Sequence, residues 1–264
     1  MEPMGALFLI IFLSASPCCT RGNVELAPAL YIFGDSTVDG GNNVPADNKA
    51  FGIDLNNTSV PPRCTNGLTV ADFFGRHDIY FSHLFSHFFA IDQSLPNLAV
   101  PYEFNEVYAP PIMFCYSVFF VSFGINDYYI NYLWPNNGTL KTLTPELFAQ
   151  FLLNELAARL RTLYHMGGRK FVVNNIWPIG CSPGYSSSSC CDETINKKLF
   201  PYNDTLPAVL MKLQAELHGS FFSCSDDFQF VADLRSNVEE YGMFTTILFD
   251  PYVTTIFPLG SYST

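Results

Sequence analysis

The stretch of sequence that decides the fold is YIFGDSTVDGGNN, residues 31–43. The apolar run Ala29 to Phe33 has the composition of a buried strand, and the Gly and Asn residues after it permit the positive φ angles of a sharp turn. This pattern predicts that Ser36 lies exposed at the mouth of the strand, with its backbone N–H turned towards a ligand. Asp and Ser are also favoured helix N-caps, so the tripeptide Gly-Asp-Ser by itself is equally compatible with a simple cap.

A second strand with a polar end supplies a candidate partner for Ser36. Residues 117–123 (SVFFVSF) predict a strand, Gly124 lets the chain turn, and Asn126 follows at the carboxyl end. Ligands of open α/β sheets bind at this edge, where an Asn amide can donate to an oxyanion. Without further context, an Asx turn or a helix cap is the plainer interpretation of Asn126 and Asp127.

Longer segments of the sequence help to decide between a functional role and a simple cap or turn at Ser36 and Asn126. The pattern around Ser36 also includes Phe33, Gly34, Asp35, Asp39, Gly41, Asn42 and Asn43. Together these residues resemble the first signature block of the plant GDSL esterase/lipases, members of the SGNH hydrolase superfamily. Three further segments are similar to later motifs of that family, namely residues 63–72 (RCTNGLTVAD), 123–128 (FGINDY) and 175–183 (NIWPIGCSP).

The resemblance implies a fold and a chemistry. The fold is a three-layer α/β/α sandwich with a mostly parallel sheet, of the SGNH or flavodoxin-like kind. The activity is hydrolysis of a lipid or other small-molecule ester, with no cofactor and no metal. Ser36 would be the nucleophile, and the Asn126 amide with the Ser36 N–H would form the oxyanion hole. The supporting turns would be formed by Gly34, Asp35, Asp39, Gly124 and Asp127.

Two of the family's catalytic blocks have no counterpart here. The family takes its general base from a C-terminal Asp-x-x-His, whereas this sequence has no histidine after His218. Its second block, a glycine that gives an oxyanion N–H, is not found between Asp72 and Tyr116. We therefore expect a C-terminally incomplete fold, an unidentified base, and weak or no turnover. The alternative is a catalytically inactive secreted product of a truncated gene model that binds an ester or a glycan.

Two histidines in an aromatic run are the nearest candidates for the missing base. His83 and His87 are four residues apart, which on a helix would place both imidazoles on one face, a spacing that also suits a metal pair. No third ligand is evident, so a packed aromatic segment is the favoured interpretation. His165 and His218 each precede a glycine and are typical of helix C-termini.

The later half of the chain alternates between helix and strand patterns. Thr144-Pro145-Glu146 predicts the start of a helix that Gly167-Gly168 ends, and residues 169–176 predict a strand. A second helix is predicted from Thr205 to Gly219, followed by a strand over residues 228–232. Such alternation indicates parallel βαβ units.

Targeting and charge patterns favour secretion. The apolar run Ala6 to Ala15 resembles a signal-peptide core and is too short to span a bilayer, so we expect a signal over residues 1–22. Residues 23–264 would form a single domain with a divergent tail over 250–264, without a transmembrane segment. A net charge of −11 argues against nucleic acid as a partner. The oligomeric state is left open.

Cysteines and glycosylation sequons agree with an oxidising compartment. Eight cysteines are present, and their pairing cannot be derived from spacing. Disulfides or free thiols are favoured over zinc, because the adjacent Cys190 and Cys191 lack a C-x-x-C partner. The sequons begin at Asn56, Asn57, Asn137 and Asn203.

Overall fold

The computed structural model describes residues 27, 29–38, 69, 80–83, 111–133, 142–182, 185–186, 190–237, 239–241, 249–250 and 253–254. The described elements are, in chain order, β1 (Ala29–Gly34), a first 3-10 turn (Ser36–Val38), β2 (Tyr80–His83), α1 (Pro111–Tyr116), β3 (Val118–Ser122), a π-helix (Asp127–Leu133), α2 (Pro145–His165), β4 (Lys170–Asn174), a second 3-10 turn (Ile179–Cys181), α3 (Glu193–Asn196), α4 (Phe200–Glu216), β5 (Phe221–Ser225), α5 (Asp227–Ser236), β6 (Phe249–Asp250) and β7 (Val253–Thr254).

Five of the described strands form one parallel sheet in the order β2-β1-β3-β4-β5. The order reverses between β1 and β3, since the chain passes from β1 outwards to β2 on one side and to β3, β4 and β5 on the other. This is the strand order of flavodoxin-like sheets, in which ligands bind at the carboxyl edge of the reversal point. The α/β fold with a parallel sheet is therefore confirmed.

Local signals explain where the long helices begin and end. The Thr144 hydroxyl accepts from the Leu147 N–H at 3.3 Å, and Pro145 occupies the first turn of α2, as the sequence predicts. Gly167, with φ of 113°, follows the end of α2. Helix α4 begins at Phe200, five residues before the predicted start at Thr205. The first turn of α4 contains Pro201, which has no N–H to leave unpaired there.

One predicted strand is wrong. Residues 228–232 lie in α5, and the edge strand β5 is the preceding segment FFSCS, residues 221–225. The reason is a helix cap: the Asp226 carboxylate accepts from the Gln229 N–H at 3.0 Å and starts a helix directly after the strand. The aromatic run around His83 also contributes β2 rather than a helix.

The main core lies on one face of the sheet. Side chains of β1, β3 and β4 pack there against α2 and α4, with Phe119, Phe148, Phe171, Leu152 and Leu206 each at most 1% exposed. A smaller cluster on the other face joins Leu30, Ile32, Val38 and Phe120. The core thus fixes the relative positions of β1 and β3, whose carboxyl ends carry the predicted site.

Candidate active site

The first turn of the candidate site follows β1, at a point where the backbones of β1 and β3 lie very close together. Gly34 pairs with Ser122, and a Cβ at Gly34 would lie 2.8 Å from the Ser122 carbonyl oxygen, so a glycine is required there. The next residues form the first 3-10 turn, in which the Val38 N–H donates to the Asp35 carbonyl oxygen at 3.2 Å. Ser36 is the first residue of this turn. Its side chain lies outside the described part of the chain.

The Asp35 carboxylate stabilises the same turn by accepting two hydrogen bonds within it. Its Oδ1 accepts from the Thr37 N–H at 3.0 Å and from the Thr37 hydroxyl at 2.7 Å. Asp35 itself is only 2% exposed. The predicted supporting role of Asp35 thus has a geometric basis, whereas Asp39 lies outside the described residues.

The second turn leaves β3 at Gly124. This glycine has φ of 106°, a conformation that L side chains rarely adopt, and a Cβ there would lie 2.8 Å from Ile176 Cδ1. The Tyr128 N–H donates to the Gly124 carbonyl oxygen at 3.0 Å and closes the turn. Asn126 lies within it, half-buried, and Asp127 begins the π-helix.

The two turns lie at the same edge of the sheet. Because Gly34 and Ser122 are paired residues of parallel strands, Ser36 and Asn126 both follow the carboxyl ends of neighbouring strands. They lie at the point where the strand order reverses. The local sequence predicts each strand end, but only the sheet order makes the two strands neighbours.

A buried acid lies next to each of these residues. Asp35 precedes Ser36 and Asp127 follows Asn126, and Asp127 is 1% exposed. Burial, and secondly the negative charge of Asp35, raise the pKa of Asp127 to about 8, although a hydrogen bond with its own backbone opposes the rise. This shift favours the neutral form of the Asp127 carboxyl at pH 7.

Aromatic rings surround the second turn. The Tyr128 ring contacts Phe148 edge-on at 4.9 Å and Tyr202 at 6.2 Å between centroids, and the Tyr132 ring stacks on Phe148 at 4.3 Å. The Tyr132 hydroxyl donates to the Leu143 carbonyl oxygen at 3.0 Å. These contacts fix the π-helix against α2 and α4 and so hold Asn126 at a fixed position.

Sequence reasoning missed a residue that supports this turn from α4. Asn203 Oδ1 accepts from the Ile176 N–H at 2.9 Å, and Asn203 Nδ2 donates to the Ile176 carbonyl oxygen at 2.8 Å. Both groups are buried. The sequon at Asn203 was the only signal at this position, and it pointed to glycosylation. In the folded chain both polar atoms of the Asn203 amide are used internally, which does not favour a glycan at this sequon.

A second polar network was also missed, at the ends of β4 and β5. Asn174 donates to Asp227 at 2.6 Å, Ser225 donates to Asp227 at 2.8 Å, and Asn175 donates to Asp226 at 2.8 Å. Burial raises the pKa of Asp227 to about 6, against the lowering effect of the hydrogen bonds from Ser225 and Asn174. Because β4 separates β5 from β3, this network anchors the start of α5 rather than the two turns.

The described histidines lie at two opposite edges of the sheet. His165 ends α2, and His218 follows α4, where its carbonyl oxygen accepts from the Tyr164 hydroxyl at 2.9 Å. Since these helices run antiparallel to the strands that follow them, both residues lie at the amino edge, away from Ser36. His83 is the last residue of β2, opposite Ile32 of β1, at the carboxyl edge. Its side chain and His87 lie outside the described residues.

Among the described cysteines, one pair forms a disulfide. Cys181, at the end of the second 3-10 turn, forms a disulfide with Cys191. Cys190 and Cys224 are free thiols, and burial raises the pKa of the Cys224 thiol to about 11. Within the described ranges, no cluster of three or more His, Cys, Asp or Glu could hold a metal ion. Nor does any described helix have the length and apolar character needed to cross a bilayer.

Comparison with known proteins gives a consistent result. A family model described as GDSL-like lipase/acylhydrolase matches residues 30–250. The GDSL esterase/lipase At2g23540 of Arabidopsis thaliana is 30% identical, over 81% of this chain and 69% of the relative. The GDSL esterase/lipase At4g16230 of the same plant is 30% identical, over 89% of this chain and 77% of the relative. The GDSL esterase/lipase At1g71691 is 28% identical, over 83% and 68% respectively.

Proposed function

This chain belongs to the GDSL-like lipase/acylhydrolase family, and from that premise we propose that it is a secreted hydrolase of ester bonds with Ser36 as its nucleophile. The observation that carries the proposal is the position of the two turns. Ser36 and Asn126 follow neighbouring strands at the reversal point of a parallel sheet, where α/β enzymes bind their ligands.

The proposed reaction is acyl transfer through a serine ester. The Ser36 hydroxyl attacks the ester carbonyl carbon, and the C–O bond to the leaving alcohol breaks when the tetrahedral intermediate collapses. The Asn126 amide and the Ser36 N–H donate hydrogen bonds to the oxyanion of that intermediate. Water then hydrolyses the acyl-serine and regenerates the hydroxyl. The turns that hold these groups contain Gly34, Asp35, Gly124 and Asp127, and the family resemblance adds Asp39 to the first of them.

The general base is the open part of the proposal. His165 and His218 lie at the amino edge of the sheet, and the sequence has no histidine beyond His218. Serine hydrolases stripped of triad residues keep a rate enhancement of about 10³–10⁴ over water through the oxyanion hole and binding. We therefore propose weak turnover at Ser36.

Secretion is supported by the cysteines and the N-terminal sequence. The Cys181–Cys191 disulfide is of a kind that persists in oxidising compartments. The apolar run near the N-terminus resembles a signal peptide, and the sequons at Asn56, Asn57 and Asn137 are the candidate glycosylation sites.

A second candidate function is ester or glycan binding without cleavage. The specific observation in its favour is the lack of a recognisable Asp-x-x-His block and of the family's glycine block in the 264 residues. Under this alternative the two turns still bind an ester carbonyl, but no group takes the Ser36 proton.

The deciding experiment compares hydrolysis of a short-chain nitrophenyl ester by the wild type, Ser36→Ala and Asn126→Ala. The control is Ser186→Ala, which removes a serine hydroxyl from the loop after the second 3-10 turn. We expect Ser36→Ala and Asn126→Ala to reduce the rate to background and Ser186→Ala to match the wild type. Equal rates for wild type and Ser36→Ala would reject the hydrolase. Binding of a non-hydrolysable ether analogue, weakened by Asn126→Ala, would then establish the second candidate.

A further inference from the structure

The two turns of the candidate site each contain a buried carboxyl group. Asp35 is 2% exposed and directly precedes Ser36, and Asp127 is 1% exposed and directly follows Asn126. The strands that deliver them pair up to Gly34 and Ser122. Two acids are thus buried in the same region of the protein, close enough for the charge of Asp35 to act on Asp127.

The surroundings of Asp127 do not favour a charge. Its Oδ1 is buried and accepts no hydrogen bond from the described residues. The titratable groups that face it are Asp35 from the first turn, Tyr202 from α4 and the adjacent Tyr128. Burial raises the pKa of both tyrosines, so they stay neutral, and Asp35 is the group whose negative charge an ionised, desolvated Asp127 would face.

A protonated Asp127 carboxyl carries no charge, so neither desolvation of a charge nor repulsion from Asp35 opposes its burial. A neutral carboxyl can remain in the interior beside Asp35 without repulsion, and its O–H can donate to a neighbouring acceptor. Burial together with the Asp35 charge raises the pKa of Asp127 to about 8, which agrees with the neutral form at pH 7.

We propose that Asp127 is a positioning residue that holds the Asn126 turn against the Ser36 turn only while its carboxyl is protonated. When the proton leaves to water, repulsion between the two buried carboxylates separates the turns. The inference rests on the proposed function only in identifying Ser36 and Asn126 as the reacting pair. It adds to that function an alkaline limit set by a group that does not touch the substrate.

The first test is independent of turnover. Amide hydrogen exchange is followed by mass spectrometry over residues 34–38 and 124–133 of the full chain, from pH 6 to 9.5, after correction for intrinsic exchange. In the wild type we expect protection of both turns to fall together by about fivefold or more between pH 7 and 9, because local opening becomes easier once Asp127 is charged. In Asp127→Asn this fall should be absent, and in the control Glu239→Gln, which removes an exposed carboxylate, it should persist.

A second variant keeps the test valid if Asp127→Asn fails to fold. Asp35→Asn removes one of the two carboxylates, so an ionised Asp127 would no longer repel the first turn, and the fall in protection should be much smaller than in the wild type. Protection that stays constant through pH 9 in the wild type would overturn the proposal. So would an unchanged transition in Asp127→Asn, or in Asp35→Asn if that variant alone folds.

The second test uses the reaction itself. The profile of kcat/KM against pH should decline above about pH 8 in the wild type, and Asp127→Asn should lose this decline whatever its absolute rate. A residue with a merely structural role would lower the rate at every pH and leave the profile's shape unchanged, which would contradict positioning by protonation. If no Ser36-dependent hydrolysis exists, the proposed function fails, and hydrogen exchange alone decides the role of Asp127.

Discussion

Asn203 binds both backbone polar groups of Ile176: its Oδ1 accepts from the N–H at 2.9 Å, and its Nδ2 donates to the carbonyl oxygen at 2.8 Å. Ile176 follows β4, and its Cδ1 fills the space that a Cβ on Gly124 would need. A continuous set of contacts therefore runs from α4 through Ile176 to the turn that contains Asn126. The position of that turn depends on a helix about eighty residues away in sequence.

Replacing Asn203 by alanine should destabilise the protein strongly. The change leaves the Ile176 N–H and carbonyl oxygen buried without partners, and each such group costs roughly 1–3 kcal/mol, so we expect a loss of about 2–4 kcal/mol in the free energy of unfolding. Urea denaturation measures it. The neighbouring exposed Asp204→Ala is the control and should change stability by less than about 0.5 kcal/mol. A small effect of Asn203→Ala would show that the two hydrogen bonds do not persist in solution.

Gly124 and Gly219 form a matched pair for separating backbone strain from steric overlap. Both have positive φ, 106° and 77°, but a Cβ on Gly219 would meet nothing within 4 Å, whereas one on Gly124 would meet Ile176 Cδ1 at 2.8 Å. We expect Gly219→Ala to cost about 1–2 kcal/mol from strain alone. Gly124→Ala should cost more, because the overlap adds to the strain, and it should also reduce ester hydrolysis. Equal costs in thermal or urea unfolding would argue against the close contact.

Asp127→Asn should alter the dependence of stability on pH. The folded-state pKa of Asp127 is about 8 against an ordinary value of 3.8, so its contribution to stability is complete below pH 4 and is lost as pH rises towards 8. In that range the free energy of unfolding of the wild type falls by at most about 1.4 kcal/mol per pH unit. Between pH 6 and 8, the variant should therefore gain about 1–3 kcal/mol relative to the wild type, and the difference should level off above pH 8. Urea unfolding at a series of pH values measures it.

The pH 6–8 range also avoids a second titrating acid. Asp227 has a pKa of about 6, raised from 3.8, so its contribution is lost mainly between pH 4 and 6. Wild type and Asp127→Asn share Asp227, and its effect cancels in their difference. Parallel stability curves for the two proteins from pH 6 to 8 would mean that Asp127 is ionised throughout this range.

His165→Ala and His218→Ala should leave ester hydrolysis within about twofold of the wild type. Both residues lie at the amino edge of the sheet, so neither imidazole reaches a serine at the carboxyl edge within hydrogen-bond distance. His83, at the carboxyl end of β2, is the informative comparison in the same assay. A loss of more than tenfold in either amino-edge variant would contradict the strand direction or the location of the site.

Several features of the fold could be predicted from residues close together in the chain. The helix start at Thr144 and Pro145 follows from a hydroxyl cap and a fixed φ, which are properties of the residues themselves. The strand of residues 228–232 was predicted wrongly, because aromatic composition there outweighed the Asp226 cap. The strand FFSCS was missed because it is short, is interrupted by two serines and has only one buried side chain.

The sequence by itself determined the strand that ends at Gly34, the turn that begins at Ser36 and the likeness to a family of serine hydrolases, because these depend on side chains within a few residues of one another. Only the tertiary structure decided that β1 and β3 are neighbours, that Asn203 supports Ile176, that Cys181 pairs with Cys191 and that Asp127 is buried beside Asp35. The physical reason is that burial and pairing are made by segments far apart in the chain. Their free energies depend on what the whole fold brings together, which no local pattern records.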